Sequence, residues 1–131
     1  MIRAYQDSDF EMICRWWASR GEIGPMPGML IENGTFVLEL SDKAVMSLTC
    51  YITLSSIAYI EGFIADPELP KEIRRELGHK LWDHCIKYAE ENKAKHLLTY
   101  SGKDGLTKRY EQFGFTKSIS NLTVLYRTLG V

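Results

Sequence analysis

The sequence predicts a mixed α/β fold (α+β), in which helices flank a central, mostly antiparallel sheet of about seven strands. Three observations predict this class. Three segments rich in β-branched and aromatic residues follow one another between positions 35 and 65. A long amphipathic helical pattern comes next, and shorter strand and helix patterns lie near both ends of the chain. Residues 1–131 show no internal repeat and are predicted to form a single domain.

The N-terminal segment predicts one strand and one helix. Met1 to Tyr5 is typical of a short strand, and Ser8 with Glu11 three residues later has the pattern of a capping box. The predicted helix has one apolar face, formed by Phe10, Ile13, Cys14 and Trp17. The prolines and glycines between Gly24 and Gly28 then predict a loop.

The centre of the chain predicts three successive antiparallel strands. Thr35 to Leu40 and Ala44 to Leu54 form a hairpin around a short polar turn, and Ile57 to Ala65 follows after another short link. Gly62 interrupts the third strand. It indicates either a bulge with a close backbone approach or a glycine required by packing.

A long helix is predicted after the link from Asp66 to Pro70. Its apolar stripe is wide, which suits a helix lying on a sheet, and consists of Ile73, Leu77, Leu81, Cys85 and Tyr88. Proline is favoured in the first turn of a helix, so Pro70 suggests that the helix starts well before Gly78.

The C-terminal segment predicts a strand, a short helix and two closing strands. Lys95 to Tyr100 has strand composition, and Asp104 is suited to cap the helix that carries Tyr110. Gly114 is placed to end that helix in a left-handed conformation. The closing strands are predicted at 115–119 and 122–128.

Composition excludes several functional classes. The 131 residues carry a net charge of −1, so the basic surface typical of a nucleic-acid-binding protein is not expected. Neither a basic, apolar leader nor an apolar run of membrane-spanning length is present, which favours a cytoplasmic protein without membrane contact. The three cysteines are widely spaced in apolar surroundings, and neither they nor the histidines have the spacing of metal ligands.

Two motifs resemble those of one enzyme family. Residues 110–115, Tyr-Glu-Gln-Phe-Gly-Phe, resemble the Tyr-x-x-x-Gly-Phe signature of the GNAT superfamily of N-acetyltransferases. Residues 75–80, Arg-Glu-Leu-Gly-His-Lys, resemble its pyrophosphate motif, Gln/Arg-x-x-Gly-x-Gly/Ala, with Lys80 in place of the last small residue. The order of predicted elements is similar to that of the family along essentially the whole chain.

The resemblance implies transfer of an acetyl group from acetyl-coenzyme A to a primary amine, without a metal. It implies that Tyr110 protonates the leaving thiolate. The residues implied to contact the coenzyme are Phe63, Ile64 and Ala65 along the pantetheine arm, Arg74, Arg75, Gly78, His79 and Lys80 at the pyrophosphate, and Lys103 where the family has asparagine. Glu61 is the carboxylate of the central apolar strand and is our candidate general base, unless its side chain faces solvent.

Three alternatives stay open at this stage. If the long helix starts near Pro70, the amides around Gly78 are consumed inside it, and the phosphate cradle moves to positions 70–73. The chain could instead be a non-catalytic binding protein that contacts a macromolecule through Trp16, Trp17, Met26 and Met29. The acceptor could be a small molecule or a protein amine, and a homodimer is compatible with the sequence.

Overall fold

A computed structural model describes residues 1–101, 104–118 and 122–130, with the side chains of 104–106 excepted. The chain forms two compact units, Met1–Thr99 and Tyr100–Val131. The elements of the first unit are β1 (Ile2–Ala4), a 3-10 turn (Asp7–Asp9), α1 (Phe10–Ala18), β2 (Thr35–Leu40), β3 (Lys43–Ile52), β4 (Ile57–Ala65), α2 (Lys71–Glu91) and β5 (His96–Leu98). The second unit contains α3 (Asp104–Glu111). In the described part of the chain, no helix is long and apolar enough to cross a membrane.

One mixed sheet organises the first unit. Its strand order is β1-β2-β3-β4-β5, in which the first four strands are antiparallel to their neighbours and β5 runs parallel to β4. The predicted β2–β3 hairpin and the predicted bounds of β4 are confirmed. Strands β3 and β4, which pair from Met46 with Ala65 to Ile52 with Ala58, carry the centre of the core.

The expected number of about seven strands is wrong, because five strands are seen in the described residues. Neither 115–118 nor 122–130 forms a strand, and the remaining predicted strand position, 119, lies outside the described residues together with the predicted link at 120–121. Apolar side chains of this segment are largely exposed, among them Leu125 at 88%. Alternating apolar residues give a segment strand propensity, but a strand also requires a neighbour with which to pair.

Helices α1 and α2 cover opposite faces of the sheet. On one face, Ile13 and Trp16 of α1 pack with Val37 of β2 and Ile64 of β4. On the other face, the ring of Phe36 lies edge-on to His84 and Tyr88 of α2, with ring centroids 4.5 and 5.0 Å apart. The faces alternate along β2 because successive side chains of a strand point in opposite directions.

The turn before α1 differs from the predicted capping box. The Asp9 carboxylate, rather than a Ser8 and Glu11 pair, accepts a hydrogen bond from the Gln6 amide at 2.9 Å. Both Asp9 oxygens also accept from the guanidinium of Arg3, at 2.9 Å each. The Arg3 guanidinium beside Asp9 holds the pKa of that carboxyl below its usual range. Arg3 lies only six residues before Asp9, but a strand residue that binds the residue before a helix is not part of any local capping pattern.

Candidate active site

A β-bulge lies in the second half of β4. Glu61 is paired with Thr49 and Ile64 with Ser47, so Gly62 and Phe63 together oppose the single residue Leu48. Gly62 has a φ of +80°, and a Cβ built on it would meet no atom within 4 Å. The glycine is therefore required by backbone conformation rather than by packing. This resolves the two readings of Gly62 in favour of a bulge.

On the side of β4 opposite β3, strand pairing ends before the bulge is reached. Strand β5 pairs with Ile57, Ala58 and Tyr59, and no described strand pairs with 62–65 on that side. The side chains of Ile64 and Ala65 are nevertheless buried, at 2% and 0% exposure. Packing thus fixes the end of β4 while its backbone edge stays available to an extended ligand, which could add to it like another strand.

The link between β4 and α2 is a hydrogen-bonded turn anchored on Asp66. The Asp66 amide donates to the Val45 carbonyl at 2.8 Å, and its own carboxylate and carbonyl accept from the amides of Glu68 and Leu69, at 2.9 and 3.0 Å. Its carboxylate also lies 3.7 Å from the ammonium of Lys43. Sequence reasoning missed this role of Asp66. An aspartate that bonds the amide two residues on is a recognised turn signal and could have revealed it.

Helix α2 begins at Lys71, as Pro70 suggested, and its first turn provides the free backbone donors. Proline has no N–H, and the Arg74 amide already donates to the Pro70 carbonyl at 2.9 Å. The amides of 71–73 are therefore the donors that no earlier turn of the helix can satisfy. They form the positive end of the helix dipole, followed directly by half-buried Arg74 and exposed Arg75.

The predicted pyrophosphate motif lies further along the same helix. Gly78 is buried and is the eighth residue of α2, so its amide bonds within the helix, as do those of His79 and Lys80. The His79 imidazole lies 3.5 Å from the Asp83 carboxylate, and Lys80 is exposed. The motif residues are present apart from the last position, which is Lys80, but their amides do not form a backbone cradle at Gly78. The free amides are at the start of the helix instead.

Glu61 lies on the face of β4 that α1 covers further along the strand. It shares this face with its cross-strand partner Thr49, because paired residues of antiparallel strands point the same way. The Thr49 hydroxyl is buried and hydrogen-bonded to that of Thr35 at 2.9 Å. Glu61 itself is half-buried. Glu61 therefore lies across the sheet from a buried, hydrogen-bonded pair of hydroxyl groups, although the structure assigns it no catalytic step.

Two tyrosines that the sequence analysis did not single out continue this face. Tyr51 and Tyr59 are cross-strand partners whose rings stack with centroids 6.0 Å apart and planes 20° apart. The Tyr51 hydroxyl donates to the carbonyl of Met29 at 2.7 Å, which ties the loop before β2 to β3. The sequence could have revealed Tyr59, because it lies two residues from Glu61 on one predicted strand and residues at this spacing share a face.

The second unit contains the predicted Tyr110 motif. Tyr110 lies in the last turn of α3, and its ring centroid is 6.4 Å from that of Phe115. Gly114 has a φ of +88°, which confirms the predicted left-handed end of this helix. Burial raises the pKa of the Tyr110 phenol, an effect that neighbouring Arg109 opposes. The phenol is therefore neutral at physiological pH and can donate a hydrogen bond. Lys103 lies outside the described residues.

Solved structures with this architecture cover nearly the whole chain. A transcriptional regulator from Bacillus halodurans C-125 matches with a TM-score of 0.73 and 20% identity over 96% of this chain and 99% of its own. The ribosomal-protein-S18-alanine N-acetyltransferase from Escherichia coli matches with a TM-score of 0.74 and 16% identity over 91% and 79%. The fold is that of the GNAT acetyltransferases.

A third structural neighbour was solved with coenzyme A. It is the N-acetylglutamate synthase from Neisseria gonorrhoeae, in complex with coenzyme A and L-arginine. Its TM-score is 0.74 at 17% identity, over 91% of this chain and 28% of the longer synthase chain. No protein-family model and no curated protein matches the sequence. At these identities the likeness establishes the GNAT fold and leaves the activity to be argued from the residues.

The first unit contains two features that fit coenzyme A. The edge of β4 at 63–65 suits the amide-containing pantetheine arm, and the amides of 71–73 with Arg74 and Arg75 suit phosphate. The link at Asp66 places one feature directly after the other along the chain. In the described residues, no group of three or more His, Cys, Asp or Glu side chains is arranged to hold a metal ion.

Proposed function

We propose that this protein is an acetyl-coenzyme A-dependent N-acetyltransferase that acts on a primary amine. The observation that carries the proposal is the edge of β4 at 62–65, with which no described strand pairs on the β5 side and which is followed by the uncapped start of α2. Phe63, Ile64 and Ala65 would pair with pantetheine, and the start of α2 would hold the phosphates. Binding in this way would fix the thioester relative to the protein.

The remaining chemistry is assigned to two side chains. Bound acetyl-coenzyme A supplies an activated acetyl group, whose carbonyl carbon leaves sulfur and joins the amine nitrogen. Glu61 takes the proton that the amine loses, directly or through water. Tyr110 donates its phenolic proton to the departing sulfur and regains one from solvent, to which Glu61 releases the proton that it took. The number of protons is then unchanged over the reaction.

A non-catalytic binding protein is the second candidate. It is favoured by the position of Gly78 inside α2, which removes the expected backbone cradle. A structural neighbour described as a transcriptional regulator is compatible with it. The contact surface that we expected for such a protein is smaller than predicted, because Trp16 is only 6% exposed and packs in the core. Met26, at 43% exposure, still belongs to it.

Calorimetric titration with acetyl-coenzyme A, followed by an amine-acetylation assay, separates the two candidates. The enzyme hypothesis predicts saturable binding in the micromolar range, typical of Michaelis constants of about 1 μM to 1 mM, and acetylation of at least one primary amine. The absence of binding heat at high micromolar protein would contradict it. A partner retained by a variant lacking both Arg75 and Tyr110 would favour the binding protein.

Replacing Tyr110 by phenylalanine tests the assigned proton donor. The variant keeps the ring beside Phe115 and loses the hydroxyl, so coenzyme affinity should persist while turnover falls by about 10²- to 10⁴-fold. Burial raises the pKa of Tyr110 above 10, so any alkaline loss of turnover caused by its ionisation should lie above pH 10 and be absent in the variant. Unchanged turnover would remove Tyr110 from the mechanism.

A further inference from the structure

The face formed by Thr49, Tyr51, Tyr59 and Glu61 has the chemistry of a cation-binding site. We name these four residues the β3–β4 face. Two cross-strand pairs, Thr49 with Glu61 and Tyr51 with Tyr59, place all four side chains on one side of the sheet. The face therefore presents a carboxylate beside a pair of stacked aromatic rings.

Neighbouring contacts hold the face in a defined shape. The Tyr51 hydroxyl donates to the Met29 carbonyl, and the Thr49 hydroxyl is bonded to Thr35, whose hydroxyl in turn accepts from the Ile31 amide at 3.0 Å. The loop before β2 is thus fastened to both ends of the face. These contacts hold Tyr51 and Thr49, and through ring stacking Tyr59, in place before a ligand binds.

The spacing on β4 indicates what kind of cation fits. Tyr59 and Glu61 are two residues apart on one strand, so their Cα atoms are roughly 7 Å apart. A carboxylate binds an ammonium group by charge, and tyrosine rings attract a second cation through their negative faces while packing against methylene groups. A ligand with a carboxylate instead of a second cation at its far end would be repelled by the negative face of the rings and by the charge of Glu61.

We infer that the acceptor is a short aliphatic diamine, with the reacting amine at Glu61 and the distal ammonium against Tyr59 and Tyr51. This inference rests on the proposed acetyl transfer, whose acceptor class it specifies. It gives Tyr59 a role in substrate selection that neither the sequence motifs nor the fold implies. It also makes Glu61 an anchor for the amine as well as a proton acceptor.

Three amines with a chain of four carbon atoms test the inference: putrescine, butylamine and gamma-aminobutyrate. They share the reacting amine and differ at the far end, which bears an ammonium, a methyl group and a carboxylate, respectively. Their binding is measured by calorimetry with coenzyme A present, which carries no acetyl group, and again without it. Putrescine should bind about tenfold more tightly than butylamine, and gamma-aminobutyrate most weakly. Equal affinities would overturn the inference.

Variants assign the preference to the face. Tyr59→Leu and Glu61→Gln should each reduce putrescine affinity about tenfold, whereas Tyr59→Phe, which keeps the ring, should retain it. Glu90→Gln is the matched control, because it removes one exposed carboxylate from α2 rather than from the β3–β4 face. It should leave putrescine affinity unchanged. Retention of the putrescine preference in Tyr59→Leu, or of full putrescine affinity in Glu61→Gln, would place the site elsewhere and contradict the assignment.

The outcome separates the acceptor class from the reaction. If coenzyme A fails to bind while putrescine is still preferred, the proposed acetyl transfer is wrong and the cation site stands. If coenzyme A binds and the three amines are acetylated with equal kcat/KM, the transfer stands and the diamine assignment is wrong. Preference in both measurements, lost together in Tyr59→Leu, supports the whole inference.

Discussion

Strand β4 and the first two turns of α2 adjoin each other along the chain, yet they differ in what holds them. The end of β4 is fixed by burial, with Ile64 and Ala65 almost inaccessible to solvent. The start of α2 is exposed from Lys71 to Ile73, and the first fully buried residue of the helix is Gly78. A bound coenzyme would therefore meet a strand edge fixed by packing at β4 and an exposed helix end at α2.

The largest expected effect concerns the buried middle of α2. Leu81 is fully buried against the sheet, so Leu81→Ala should lower the free energy of unfolding by about 2–5 kcal/mol. Ile73, on the same helix but 39% exposed, should cost less than about 1 kcal/mol when changed to alanine. Urea denaturation measures both. Equal losses would show that the first turns are as firmly packed as the middle.

The next effect concerns the bulge. Valine at position 62 cannot easily adopt a φ of +80°, so Gly62→Val should cost about 1–3 kcal/mol of stability. Calorimetry should also show weaker coenzyme binding, by about tenfold, because the strand edge changes shape. Gly62→Asn, whose side chain tolerates left-handed backbone, should lose less on both measures.

A second glycine separates strain from function in this experiment. Gly21 also has a positive φ, of +70°, with open space around its Cβ, but it lies after α1 and away from β4. Gly21→Val should therefore destabilise the fold without changing coenzyme affinity. If Gly62→Val loses stability but keeps full affinity, the bulge has no part in coenzyme binding.

The smallest effect concerns the helix start. Arg75 is exposed, so its attraction for a phosphate is screened by solvent, and Arg75→Ala should weaken coenzyme binding only roughly two- to fivefold. The loss should shrink as salt concentration rises. Lys87→Ala removes the same charge from an exposed position further along α2 and should leave affinity unchanged. A salt-independent loss of more than tenfold would mean that Arg75 is buried by the ligand.

The elements and the site differed in how well the sequence predicted them. Strand β4 was predicted with its exact bounds, and the left-handed Gly114 was predicted from its place after a helix, because both signals depend on neighbouring residues. The resemblance implied a backbone cradle at Gly78, and Pro70 in the sequence left the alternative at 70–73 open. Helix α2 begins at Lys71, so the free amides are those of the alternative, because whether an amide is free depends on where its helix begins.

Sequence alone determined the β2–β3–β4 succession, the long amphipathic helix and the left-handed helix end at Gly114. Periodicity and backbone restriction act over a few residues, so local sequence contains them. Tertiary structure decided the pairing of Arg3 with Asp9, the open edge beside Gly62 and the stacking of Tyr51 on Tyr59. It also decided that the apolar segment after Leu122 does not form a strand within the described residues. Each of these depends on which distant segments become neighbours, and local sequence patterns carry no information about that choice.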